Sequence, residues 1–153
     1  MAIRNIVKEG DSVLNKKCRS VENFDEKLGM LIDDMIDTLK KSGGVGLAAP
    51  QVGILRRLFI MDLDGEIIVA VNPEIVKKSG KMRDVEGCLS VPNKWGYVTR
   101  PKNVVLRAFD RNGKQYERKF SELGARCTCH EYDHLDGHLF TELVEEYVEA
   151  EQK

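Results

Sequence analysis

The chain has little of what marks a membrane, secreted or nucleic-acid-binding protein. Its 24 basic and 25 acidic residues nearly cancel, which argues against nucleic acid or an anionic membrane as the main partner. No apolar run is long enough to span a bilayer, and the N-terminus has no stretch typical of a signal peptide. We therefore expect a cytoplasmic protein with no membrane partner and no nucleic acid substrate.

Cysteine is also scarce, with four residues at Cys18, Cys88, Cys127 and Cys129. In the cytosol these are expected to be thiols or metal ligands rather than disulfides. The length of 153 residues is sufficient for a hydrophobic core, and no linker or internal repeat divides the chain. One domain over residues 1–153 is expected.

A first helix is predicted after Asp25. Apolar residues recur at spacings of three and four from Leu28 to Leu39, which is typical of a helix with one buried face. Asp25 suits the N-cap, and the sequence from Ser42 to Gly44 is typical of a helix end.

Two β-hairpins are predicted where short apolar runs flank Asp64-Gly65 and Asn112-Gly113. The predicted strands are Leu58–Leu63, Ile67–Val71, Asn103–Asp110 and Gln115–Phe120.

Two further helices are predicted after the hairpins, one from about Ser121 to Leu135 and one at the C-terminus. The C-terminal helix would have an apolar face formed by Phe140, Leu143, Val144, Tyr147 and Val148. Its solvent-facing side would carry Glu142, Glu145, Glu146, Glu149 and Glu151. The fold class predicted is α+β, with antiparallel strands and hairpins around a central helix and a helix near each end.

The central helix contains the motif HExxH, from His130 to His134. Residues four apart on a helix lie one above the other, so both imidazoles can bind one metal ion. Glu131 is then close enough to act as general base on a water molecule at that metal. The motif also arises by chance, but here it lies on the apolar face of its helix, where unpaired polar groups are costly.

A third ligand is needed for a catalytic metal site with one open position. Cys88, in the sequence Glu86-Gly87-Cys88-Leu89-Ser90, is the preferred candidate. Cys127 lies one turn before His130 on the same helix face, so the spacing alone leaves it as an alternative ligand or as a small apolar residue that lines the site.

The glycine-rich segment Gly44 to Gln51 matches a dinucleotide-binding pattern by letter, but a helix rather than a strand precedes it. Small residues there suit a backbone that closely approaches a ligand. Gln51 offers an amide donor that could stabilise an oxyanion, although an exposed structural glutamine would be the simpler interpretation of that residue alone.

These three segments, in this order, resemble the peptide deformylase family, bacterial type 1. The family pattern is GxGLAAxQ, then EGCLS, then HExDH, and it corresponds to Gly44–Gln51, Glu86–Ser90 and His130–His134. Further similarity lies at Asn72-Pro73, at Arg100-Pro101 and after the central helix, so the resemblance covers nearly the whole chain.

The resemblance implies a hydrolase that removes the N-formyl group from the formyl-methionine of new polypeptides. The implied metal ligands are Cys88, His130 and His134, with Fe²⁺ typical and Zn²⁺, Ni²⁺ or Co²⁺ able to replace it. Glu131 would be the general base and acid, and Gln51 with the Leu89 N–H would bind the oxyanion. Residues expected to contact substrate are Val45, Gly46, Gly87 and Cys127.

The partner implied is the N-formylmethionyl nascent polypeptide, with transient proximity to the ribosome. The glutamate-rich C-terminus argues against electrostatic docking there. Cys129, Arg126 and Trp95 depart from the family pattern. Arg126 would either line the pocket for the methionine side chain or extend its charge to solvent.

Two other functions are alternatives to a deformylase. One is an HExxH metallopeptidase, which Cys88 disfavours, and the other is a non-catalytic metal- or peptide-binding module, which Glu131 and Gln51 disfavour.

Overall fold

A computed structural model describes residues 2–149, and within that range the chain has two α-helices and eight β-strands. The helices are α1 (Glu26–Ser42) and α2 (Leu123–Leu135). The strands are β1 (Gly46–Ala48), β2 (Leu58–Leu63), β3 (Glu66–Ser79), β4 (Met82–Cys88), β5 (Val91–Arg100), β6 (Asn103–Phe109), β7 (Gln115–Ser121) and β8 (Glu146–Tyr147). The predicted α+β class is confirmed.

The strands form two antiparallel sheets. The larger sheet has the order β1-β2-β3-β6-β7, and the smaller has the order β4-β5-β8. Both predicted hairpins are present, as the pairs β2–β3 and β6–β7. β1 and β4 each lie at the edge of a sheet, so each has one side without a strand partner among residues 2–149.

Helix α1 begins and ends where the sequence predicts. The Asp25 carboxylate accepts a hydrogen bond from the Leu28 N–H at 3.0 Å, and Gly43 ends the helix in the left-handed region with φ 74°. The apolar face of α1 is buried against β2 of the larger sheet, in a cluster that includes Ile32, Met35 and Ile60. This contact fixes the segment that follows, from Gly44 into β1.

Helix α2 is buried over most of its length because it lies between the two sheets. Ala125 and Leu135 pack in one apolar cluster with Phe59 and Leu106 of the larger sheet. The opposite side of α2 faces β4 and β5 through charged side chains, described below. The HExxH motif is therefore at the centre of the molecule, as expected.

The predicted C-terminal helix is wrong. Phe140–Glu142 forms a short 3-10 helix, and Glu146–Tyr147 forms β8 beside β5. The free edge of β5 supplies hydrogen bonds for this segment, from Glu145 N–H to Tyr97 O at 2.9 Å and from Val148 N–H to Trp95 O at 2.8 Å.

Tertiary contacts explain why the helix does not form. An isolated helix of about twelve residues is marginal in water. The Glu145 carboxylate instead accepts hydrogen bonds from Arg83 at 2.8 Å and Thr99 at 2.7 Å. Phe140 is buried with its ring stacked on His130, at a centroid distance of 5.9 Å.

Glu151 of the predicted helix lies outside the described residues, as do residues 1 and 150–153 of the predicted domain. Neither α1 nor α2 combines the length and apolar character that a membrane-spanning helix requires.

Candidate metal centre

Three potential metal ligands meet between α2 and the smaller sheet. The ligating atoms of Cys88, His130 and His134 all lie within 4.8 Å of one another. Cys88 ends β4, whereas the two histidines lie one turn apart on α2. The Cys88 Sγ is 3.4 Å from His134 Nε2. The fold thus places next to each other the three residues that the family resemblance selects.

The hydrogen bonding of His130 suits a metal ligand. His130 Nδ1 is 2.8 Å from the Glu86 carboxylate, which leaves the other ring nitrogen available as a ligand. His134 Nδ1 is buried without a hydrogen-bond partner among residues 2–149.

The groups around His130 favour a positive charge at that residue. Burial lowers the pKa of His130, but hydrogen bonds with Cys88 and Glu86 outweigh burial and raise that pKa well above its usual value. A bound divalent cation would take the place of that proton. Thiolate and imidazole are ligands for Fe²⁺, Zn²⁺, Co²⁺ and Ni²⁺, so the donor set fits the metals that the sequence implies.

Glu131 has the environment expected of a proton carrier. Its side chain is 4% exposed, and Oε1 has no hydrogen-bond partner within the described part of the chain. Burial raises the pKa of Glu131 to about 7. Both its protonated and ionised forms are therefore accessible near neutral pH.

Gln51 is fully buried beside the ligands rather than at the surface. Its Oε1 accepts a hydrogen bond from the Ala48 N–H at 2.9 Å, which fixes the orientation of the amide. Its Nε2 then donates to Ser90 Oγ at 3.1 Å and lies 3.6 Å from Cys88 Sγ. Leu89 is in the two-residue turn between β4 and β5, since Cys88 pairs with Val91.

Cys88, His130 and Gln51 line a cleft of about 590 Å³. One wall contains Val45 and Gly46, next to the free edge of β1, and the facing wall contains Gly87 of β4. Cys127 and Glu131 of α2 also line the cleft. A Cβ atom at Gly46 would lie 2.7 Å from both Cys127 Sγ and Glu131 Oε2, so only glycine fits there. The predicted substrate-binding residues thus all line one cleft.

The other cysteines are not part of the converging ligand set. Cys127 lies outside the set whose ligating atoms converge, and Cys129 packs in the apolar cluster beneath α2. Burial raises the pKa of both thiols, and it raises the pKa of Cys18 to about 11. All four cysteines are free of disulfides.

His130 also contacts a buried network of charged side chains, most of which the sequence pattern does not predict. Arg100 forms an ion pair with Glu86, with Nε 2.8 Å from Oε2 and Nη2 3.0 Å from Oε1. Arg126 and Asp133 also belong to this network. The sequence indicates their position only through their spacing of four and three residues from His130 on α2, which places them on the same helix face.

A cysteine and two histidines that converge beside a buried carboxylate, whose Oε1 has no hydrogen-bond partner among residues 2–149, form a donor set typical of a metal-dependent hydrolase. Comparison with known proteins gives a more specific result. The family model described as polypeptide deformylase matches residues 3–149. A curated peptide deformylase of Clostridium botulinum is 56% identical over 140 residues, which cover 92% of this chain and 95% of that protein.

Solved structures agree with this match. The crystal structure of peptide deformylase from Thermotoga maritima has a TM-score of 0.93 and 36% identity, and the match covers 95% of this chain and 99% of that one. A peptide deformylase from Legionella pneumophila has a TM-score of 0.92 and 46% identity, covering 94% and 87% of the two chains. The chain belongs to the polypeptide deformylase family. Members of this family remove the N-formyl group from nascent peptides.

Proposed function

We propose that residues 1–153 form one catalytic domain that hydrolyses the formyl group of N-formylmethionyl polypeptides at the Cys88–His130–His134 site. The observation that carries this proposal is the convergence of those three ligands with Glu131 and Gln51 in one buried cluster. We propose Fe²⁺ as the metal in the cell, with Zn²⁺, Ni²⁺ or Co²⁺ as substitutes. A metal held by Cys88, His130 and His134 would supply a Lewis acid for the activation of water and of the formyl carbonyl group.

The substrate is proposed to bind as an added strand between the two free sheet edges. A peptide in this position would pair its backbone with the segment at Val45 and Gly46 on one side and with Gly87 on the other. The methionine side chain would then lie along α2 near Cys127. In this arrangement the N-terminal formyl group would reach Glu131, which lines the same cleft as Cys88 and His130.

Glu131 and Gln51 divide the remaining chemistry. Glu131 accepts a proton from the attacking water and delivers it to the departing amine nitrogen. The Gln51 amide donates a hydrogen bond to the formyl oxygen as negative charge develops there, together with the Leu89 N–H. The bond from the Ala48 N–H already orients the Gln51 amide, so little reorganisation is needed during the reaction.

The direct test is hydrolysis of formyl-Met-Ala-Ser by protein purified without oxygen and loaded with Fe²⁺. We expect release of formate and the free tripeptide, and no hydrolysis of acetyl-Met-Ala-Ser, whose acyl group is larger. Cleavage of the Met–Ala bond would instead indicate a metallopeptidase. Peptide binding without turnover, at full metal content, would indicate a non-catalytic module. Because Fe²⁺ beside a thiolate is prone to oxidation, we expect exposure to air to reduce activity.

Replacement of Gln51 by alanine is expected to lower kcat by about 10²–10³-fold, the usual effect of removing one oxyanion donor. Metal content should remain that of the unmodified protein, because Gln51 supplies no ligand. Gln115, an exposed glutamine on β7, provides the control, and its alanine variant should have normal kcat. A Gln51→Ala variant with unchanged kcat would contradict the proposed role.

The site of action is proposed to be the cytosol, close to the ribosome, because the substrate is a new polypeptide. Glu145 and Glu146 near the C-terminal end both bind Arg83. This acidic surface gives no basis for electrostatic attraction to ribosomal RNA, so we propose that any association with the ribosome is transient.

A further inference from the structure

The contact between α2 and the smaller sheet is built from charged groups rather than apolar ones. Arg126, His130 and Asp133 lie on one face of α2, at spacings of four and three residues, and contact Glu86 of β4 or Arg100 of β5. Most of these side chains are almost completely buried. Buried charges depend on their partners, so the geometry of this contact is sensitive to each of them.

Arg126 makes the greatest number of connections across this contact. Its side chain is 6% exposed, so the expectation that its charge reaches solvent is wrong. Its Nη1 donates to Glu86 Oε2 at 2.7 Å and to Val98 O at 2.9 Å, and its Nη2 donates to Met82 O at 2.6 Å. One guanidinium therefore ties α2 to both β4 and β5.

Arg126 also completes the coordination of the Glu86 carboxylate. Glu86 Oε1 faces His130 Nδ1 and one nitrogen of Arg100, while Oε2 accepts from Arg100 and Arg126. With Asp133 bound to Arg100 at 2.7 Å, the cluster has two guanidinium groups and two carboxylates. Without Arg126, one guanidinium would be left with two carboxylates in a largely buried place, which is electrostatically costly.

The ligands of the proposed metal site come from the two elements that Arg126 joins. Cys88 is on β4, and His130 and His134 are on α2. The position of α2 on β4 therefore sets the distance from the thiolate to the imidazoles. We propose that Arg126 is a positioning residue that holds Cys88 and the two histidines at the spacing that the metal requires. This inference rests on the proposed ligand set.

Protein loaded with Co²⁺ provides a readout of ligand geometry that does not depend on activity. In the unmodified protein we expect thiolate-to-cobalt charge-transfer absorption in the near ultraviolet. We also expect d–d bands in the visible range that are typical of cobalt with a low coordination number. In Arg126→Met we expect a weaker charge-transfer band, shifted d–d bands and cobalt loss to a chelator that is at least about tenfold faster, within the range for groups that orient metal ligands. Unchanged bands and an unchanged rate of loss would overturn the proposal.

A conservative variant and a matched control separate positioning from general destabilisation. Arg126→Lys keeps the charge but cannot bind the carboxylate and two carbonyls together, so we expect its spectra to lie between those of Arg126→Met and the unmodified protein. If Arg126→Met does not fold, Arg126→Lys decides the question, and a normal spectrum there counts against the proposal.

Thr128 is equally buried on α2, but its Oγ1 binds Gly124 O at 2.7 Å and lies 3.6 Å from Met61 Sδ of the larger sheet.

Thr128→Val is expected to lower the melting temperature without changing the cobalt spectrum. A spectral change in Thr128→Val as large as that in Arg126→Met would refute a specific role for Arg126. Failure of the unmodified protein to bind cobalt through a thiolate would refute the proposed ligand set itself, so the two ideas fail separately.

Discussion

Replacement of Glu131 by glutamine is expected to lower kcat for formyl-Met-Ala-Ser on the order of 10³-fold while the metal stays bound. Glutamine has nearly the same shape as glutamate, but it cannot accept the proton of the attacking water or return it to the amine. Glu131 is a buried carboxylate that lines the cleft, and its Oε1 has no partner in the described chain.

The same substitution is expected to leave the protein at least as stable as before. A buried carboxylate without a partner is costly, and a neutral amide of equal size removes most of that cost. Thermal unfolding of the metal-free protein should therefore give a melting temperature for Glu131→Gln that is not lower. Loss of activity together with higher stability is typical of a residue kept for function.

The control for this experiment is Glu117→Gln, since Glu117 is exposed on β7 and forms a surface ion pair with Arg107. That variant should have normal kcat and metal content. A Glu131→Gln variant that retains more than about a tenth of the normal kcat would contradict the assignment of Glu131 as general base. Loss of the metal in Glu131→Gln would contradict it as well, because the residue would then support binding rather than proton transfer.

The sequence predicts those parts of the fold that short-range patterns determine. α1 has a capping residue, an apolar face and a terminal glycine, all within one segment. The two hairpins have turn sequences that match their strands. The C-terminal segment has an equally good helical pattern, but its backbone hydrogen bonds are made with β5, and no local pattern contains that information.

The candidate site also has one part that short-range patterns predict and one part that depends on contacts between distant segments. The relation of His130, Glu131 and His134 is local, because one helix fixes it. The choice between Cys88 and Cys127 is not local, and spacing alone left it open. β4, with the sequence MRDVEGC, lacks an alternating apolar pattern. The convergence of Cys88 with the histidines depends on the buried network of Glu86, Arg100 and Arg126, which forms only when α2 and the smaller sheet meet.

Replacement of Cys88 by alanine is expected to weaken metal binding by more than about 100-fold, beyond the usual effect of removing a group that only orients a ligand. In the proposed ligand set the thiolate is the one anionic ligand, and the two imidazoles that remain would leave two positions open instead of one. Metal content measured by elemental analysis after gel filtration should fall far below one ion per chain, and formate release should be lost with it. Added metal in excess should restore little activity, because the altered site binds it weakly.

Cys127→Ala provides the matched control, because Cys127 is a second thiol that lines the same cleft. Its pKa is raised by burial, so it is held as a neutral thiol, and it lies outside the converging ligand set. We expect Cys127→Ala to keep one metal ion per chain, and any change in kinetics to appear in KM, since the residue borders the path proposed for the methionine side chain. If Cys127→Ala lost the metal and Cys88→Ala retained it, the thiol ligand would have to be reassigned to α2, and all three protein ligands would then come from one helix.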